Sequence, residues 1–144
     1  MPYHIDWLVK DRVLLTTFSG VLTLDELIEF IDTIMLEIQQ GQPMVHHVSN
    51  SLGMERVEFS LKTLQTLTRA KKIVDALGWQ IDINRNPLLK MISGIASQFA
   101  NARTRTFATA DEAISFLKER DQTLADLIWK TELLKTDETI PMKQ

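Results

Sequence analysis

Apolar residues recur along this chain with two periods, and the order in which the periods alternate predicts the fold. From Tyr3 to Val9, Tyr3, Ile5, Trp7 and Val9 alternate with His4, Asp6 and Leu8, the period of two of a strand. A turn at Lys10–Asp11 leads into a second run, Val13 to Ser19, so the pair predicts a hairpin whose second strand ends at Gly20. Thr23 then opens a helix, with Glu26 three residues later at the spacing of a capping box. Leu24, Leu27, Ile28, Ile31, Ile34, Met35 and Ile38 recur at steps of three and four and form one stripe to be buried against the sheet. Gly41 and Pro43 stop this helix.

The alternation continues downstream. Met44 to Val48 predicts a short third strand, and Ser49 to Glu58 reads as an irregular loop that carries Leu52, Met54 and Val57, with Phe59 just beyond. Ser60 is placed to cap a second helix containing Leu61, Leu64, Leu67, Val74 and Leu77, with Gly78 as its left-handed terminator. Trp79, Ile81 and Ile83 alternate with Gln80, Asp82 and Asn84, a fourth strand with one wet or weakly covered face. Asn86–Pro87 starts a third helix whose buried face is Leu88, Leu89, Met91, Ile92, Ile95, Ala96 and Phe99. Thr104 to Ala108 is a fifth strand, followed by a second capping box at Thr109 and Glu112 before Ala113, Ile114, Phe116 and Leu117. Strands alternating with helices specify an α/β domain, here a mostly parallel five-stranded sheet with an N-terminal hairpin and crossover helices. That domain covers residues 1–120. In 121–144, Leu124, Leu127, Ile128, Trp129, Leu133 and Leu134 predict an extra C-terminal amphipathic helix, with a polar tail from Lys135 to Gln144 that frays.

Composition narrows the chemistry. With no cysteine, disulfides, thiolate metal sites and cysteine nucleophiles are excluded. A net charge of −3 does not point to nucleic acid or to an anionic membrane. The N-terminus has neither the basic flank nor the apolar core of a signal peptide, and no apolar run is long enough to span a bilayer, so the expected location is the cytoplasm, with peripheral membrane association left open. The five glycines never cluster into a phosphate-binding loop, and neither a nucleophile elbow nor a zinc-binding His-Glu-x-x-His helix occurs. His46 and His47 are adjacent on a strand and point to opposite faces, so they cannot chelate one ion together. His4 and Asp6 share a face, where a carboxylate can orient an imidazole, but no nucleophile stands at motif spacing. Arg69, Lys71 and Lys72, and again Arg103 and Arg105, read as solvated or helix-terminal charges. The expectation is therefore no catalytic residue, no metal and no cofactor.

The segment Arg105-Thr106-Phe107-Ala108-Thr109-Ala110-Asp111-Glu112-Ala113-Ile114-Ser115-Phe116-Leu117, a strand ending in Phe, a Thr cap, a Glu-Ala pair and a closing aromatic-Leu, resembles the end of SpoIIAA-like proteins of the STAS family. Gly20-Val21-Leu22-Thr23 before an acidic amphipathic helix is similar as well. The resemblance spans about residues 3–120. It implies a non-enzymatic regulatory or protein-interaction module that works through the loop before the second helix and that helix's N-terminus. The family's Asp-Ser-Ser-Gly phosphorylation signature is replaced here by Glu58-Phe59-Ser60-Leu61, which leaves Ser60 as the candidate phospho-acceptor or plain cap.

The alternative implied by the same resemblance is a small apolar-ligand or lipid-binding protein. In it residues 49–59 form a lid, and Leu52, Met54, Val57, Phe59, Met91 and Phe99 line the pocket. The broad apolar surface of the C-terminal segment makes Leu124, Ile128 and Trp129 the candidate contacts of a homodimer.

Overall fold

The computed structural model describes residues 2–70, 75–87, 89–90 and 103–134. Strand β1 (Tyr3–Val9) and strand β2 (Val13–Thr23) form the hairpin, helix α1 (Leu24–Gln40) follows, and strand β3 runs from Val45 to Glu58. Helix α2 (Leu61–Ala70), strand β4 (Leu77–Ile83), strand β5 (Arg103–Phe107), helix α3 (Ala110–Arg120) and a 3-10 turn at Gln122–Leu124 complete the described elements. The sheet order is β1-β2-β3-β4-β5, with the first pair antiparallel and the other three parallel. This is the mostly parallel five-stranded α/β sheet expected. Among the described residues no helix is long and apolar enough to cross a membrane.

Because each parallel strand is added on the same side of the last, right-handed crossovers put the connecting helices α1 and α2 on one face of the sheet. On that face Leu27, Phe30, Ile34 and Ile38 of α1 and Leu64 of α2 pack against Tyr3, Leu14, Phe18, Leu22 and Val45. Phe30, which the aliphatic stripe omits, is central to it: its ring meets Phe18 edge-on at 5.0 Å and Tyr3 at 5.5 Å. The opposite face is closed by Ala110, Ala113 and Leu117 of α3 with Leu124 and Leu134, over Leu8, Val13, Leu15, Val48, Ile81 and Ile83. Thr23 caps α1 with the reciprocal bonds of a capping box, and the Thr109 hydroxyl caps α3.

Four expectations are corrected. The second strand does not end at Gly20 but passes through it at φ +67° and continues to Thr23. Residues 49–58 are not a loop. They continue β3, and bulges in its pairing with β2, after Thr17 and after Gly20, absorb the extra residues. A lid over 49–59 is therefore not what the chain builds: a strand hydrogen-bonded along its length cannot open without breaking its ladder. Gly78 lies within β4 rather than at a helix end. Residues 121–134 do not form one amphipathic helix: a 3-10 turn and an irregular stretch lead to a helical turn at 132–134.

That C-terminal segment is anchored by a polar clasp. At the bulge where β3 leaves register with β4 after Val45, the Trp79 N–H donates instead to Nδ1 of His46 at 3.0 Å. The other ring nitrogen, Nε2–H, donates to Asp121 Oδ2 at 2.9 Å. Arg12 donates to the same oxygen at 2.8 Å and to Thr123 Oγ1 at 3.1 Å. Burial raises the Asp121 carboxyl, but hydrogen bonds from His46 and Thr123 and the Arg12 charge outweigh it and hold the pKa down to about 2. Burial pushes His46 below its ordinary value against the pull of Asp121, so the ring stays neutral with one nitrogen donating and one accepting. Gly78 makes room for this ring: a Cβ there would lie 2.6 Å from both His46 Cε1 and Nδ1.

Gly78→Ala should consequently cost about 1–3 kcal/mol in urea unfolding, because it forces the ring off the Trp79 N–H and the Asp121 carboxylate together. A variant as stable as the parent would show that the ring does not hold this position.

Candidate functional site

A row of buried and half-buried polar side chains crosses the α1-covered face of the sheet. The alternation of strands β2, β3 and β4 aims Thr16, then His47 and Ser49, then Gln80, Asp82 and Asn84 at that face. The bonds form a directed chain. The Thr16 hydroxyl donates to His47 Nε2 at 2.7 Å, His47 Nδ1–H donates to Gln80 Oε1 at 2.7 Å, and Gln80 Nε2 donates to Ser49 Oγ at 3.2 Å and Asp82 Oδ1 at 3.3 Å. This order follows from the acceptor-only carbonyl of Gln80, which fixes the His47 tautomer. The fourth strand's polar face, expected to be wet or weakly covered, thus carries a hydrogen-bonded row with Asp82 and Asn84 buried. Asn84 ends the row at 5% exposure, and its amide nitrogen and oxygen have no hydrogen-bond partner among the described residues.

The row leads to the carboxyl ends of the parallel strands, where open α/β sheets bind their ligands. There β3 outruns its neighbour: β4 pairs with Val45 to Asn50 only, and residues 51–58 pair with β2 alone among the described residues. In the resulting gap lies an open groove of about 470 Å³, lined by Ser51, Leu52 and Met54 on one side and Arg85, Asn86 and Pro87 on the other. Arg85 is exposed, its Nε donating to the Ala108 carbonyl at 3.1 Å, and no carboxylate lies within ion-pair distance of it among the described residues.

The residues singled out by sequence are dispersed. Leu52 packs into the core under α3, whereas Met54, Val57 and Phe59 pack on the α1 side, because the bulges in the pairing of β3 with β2 break the regular alternation of the strand. They do not line one enclosed pocket, although Leu52 and Met54 meet at the groove. Met91 and Phe99, and the basic residues Lys71 and Lys72, lie outside the described residues. Ser60 is exposed and acts as a cap, its Oγ accepting the Thr63 N–H at 3.1 Å. Leu124 is fully buried in its own domain, which removes it from any subunit contact, and Trp129 is half-buried with its indole N–H donating to the Leu124 carbonyl. Ile128 alone of the three is open, at 84% exposure. His4 and Asp6 pair at 2.7 Å on the outer surface of the hairpin.

Sequence reasoning missed Arg12, Asp121, Ser51 and Arg85. The first two lie 109 residues apart and carry no local signal. The polar alternation Gln80, Asp82, Asn84 was visible, but strand spacing is the same for a wet face and for a buried polar row.

Burial drives His47 down from 6.5 to about 4, against the hydrogen bond to Gln80. The unfolded chain then binds a proton that the folded chain refuses, so stability is full above pH 6.5 and falls as pH drops toward 4. Unfolding free energy measured in urea should fall by about 2–3 kcal/mol on this account between ~pH 7.5 and ~pH 4.5, and His47→Gln should remove that part of the slope. An unchanged slope in the variant would mean that His47 is not buried neutral.

No family model matches the chain, and no curated protein matches it. Among solved structures it is similar to an uncharacterized protein of the DUF3478 family with a SpoIIAA-like fold from Shewanella loihica PV-4. The two share 14% identity at a TM-score of 0.54, over 80% of this chain and 91% of that one. With the sheet order and crossovers described above, the likeness establishes that this chain has a SpoIIAA-like fold.

Proposed function

We propose that this chain is a non-enzymatic regulatory module that binds a protein partner through the far half of β3 and the N-terminus of α2. The observation that carries the reading is the overhang of β3. Residues 51–58 project past the end of β4 and run directly into Ser60, which opens an exposed helix start. Glu55, Arg56 and Glu58 point outward from this overhang, and Arg56 and Glu58 pair only across an exposed 3.3 Å contact that contributes little to stability. They are therefore available for recognition.

The two buried histidines support a binding role over an acid–base one. His46 uses both ring nitrogens, on Trp79 and Asp121, and His47 uses both, on Thr16 and Gln80. A proton acceptor for catalysis needs a nitrogen within reach of a substrate. In the same reading Ser60 is the control point: a phosphate on it would bring negative charge to the free N–H groups of α2 and alter the charge beside Glu58.

A photo-crosslinking residue at Glu55 or Lys62 should capture a discrete partner in cells. The product should be lost on the double charge reversal Arg56→Glu, Glu58→Arg, and absent when the probe sits at Lys10 in the hairpin turn. Equal products from all three positions, or none from Glu55 and Lys62, would refute the proposal.

A further inference from the structure

We infer that the groove between β3 and the exit of β4 is a binding site for a small organic oxyanion, a carboxylate or phosphate monoester on a short apolar tail. The inference stands apart from partner docking, since it rests on the groove's own residues. Four observations converge on it. The groove's volume of about 470 Å³ lies within the range of small-molecule sites. Its position, at the carboxyl end of β4 where β3 runs on without it, is where the facing edge of β3 runs out of described sheet partners.

The third observation is charge. Arg85 reaches the groove with its Nε tied to the Ala108 carbonyl, which fixes the plane of the guanidinium and leaves its positive charge without a carboxylate among the described residues. A planar guanidinium held at one edge presents its remaining N–H groups to an oxyanion as a fork. Fourth, the residue immediately before it, Asn84, is 5% exposed with both amide atoms lacking a hydrogen-bond partner among the described residues. A buried primary amide left unpaired costs on the order of a hydrogen bond or two, and such groups mark sites completed by something else. Asn84 stands one step past the last β3–β4 rung, Asn50 with Ile83, and so beside Ser51 of the groove wall.

The rest of the lining fixes the ligand class. Leu52, Met54 and Pro87 offer apolar contact, while Ser51 adds a hydroxyl; among the described residues no acidic side chain lines the groove to repel an anion. A cation would meet Arg85, and a wholly apolar ligand would leave the Arg85 charge unpaired. An oxyanion head with a short hydrocarbon tail satisfies both halves.

The test is titration of the full chain with hexanoate, hexyl phosphate and neutral hexanamide, followed by the methyl resonances of Met54 and the side-chain signals of Arg85. Hexanoate or hexyl phosphate should shift these signals saturably, with a Kd on the order of 1 mM as befits so few atoms. Hexanoate binding alone assigns a carboxylate, and hexyl phosphate alone a phosphate. Arg85→Gln should weaken binding about tenfold or more while Arg85→Lys retains part of it, and Ser51→Trp should block the groove with charge intact. All variants are checked for parental unfolding midpoints, and Arg85, being exposed, is replaceable without a cavity. The inference is overturned if neither anion gives saturable shifts, if hexanamide binds as well as the anions, or if Arg85→Gln binds undiminished.

Discussion

β3 is hydrogen-bonded to parallel strands on both sides over His46 to Asn50 and, among the described residues, to β2 alone beyond Asn50. Its fourteen residues set the register of the sheet, and their alternation decides what enters each layer. Val48 goes to the α3 side and Val45 to the α1 side, while His46 and His47 part in the same way. A slip of one residue in this strand would exchange every one of these assignments. The two histidines therefore act as opposed pins. His47 is fixed by Thr16 and Gln80 across the two neighbouring strands, and His46 by Trp79 and Asp121 on the other face.

The same strand explains how the polar row is tolerated. An isolated buried amide or imidazole is costly, but a chain in which each acceptor is met by the preceding donor leaves only its ends exposed to that cost. Thr16 supplies one end through its hydroxyl. The bonds run on to Ser49 and Asp82, and Asn84, just past the end of β4, lies where the sheet stops and the groove begins.

Much of the fold was legible because it rests on periodicity. The hairpin, the capping box at Thr23, the Thr109 cap and the order of strands follow from local patterns that tertiary contacts reinforce. The failures share one cause: residues that signal an ending locally were used otherwise. Gly20 reads as a strand end, yet its positive φ is compatible with a bulge, so the strand survives it. Gly78 reads as a helix stop, yet it is there because an imidazole from the next strand fills the space a methyl group would take. The stretch after Val48 lacks a clean alternation because two bulges shift its phase, and a phase-shifted strand looks like a loop. Of the site, Leu52 and Met54 were found for their apolar character, but Arg85 and Asn84 acquire meaning only when β3 and β4 lie side by side.

The clasp at the start of β3 also has a consequence for the order of events at the ribosome. Arg12 and His46 find their shared carboxylate at Asp121, 109 and 75 residues further along the chain. Leu124 must also arrive to complete the layer over Leu8 and Val13. Local elements such as the hairpin and α1 can form early, but the cover of the second face of the sheet is complete only when α3 and the residues through Leu134 have been made. During that interval a polypeptide with an exposed aliphatic sheet face and an unpaired arginine is the species in the cell, and shielding it falls to the synthesis machinery and chaperones rather than to the fold.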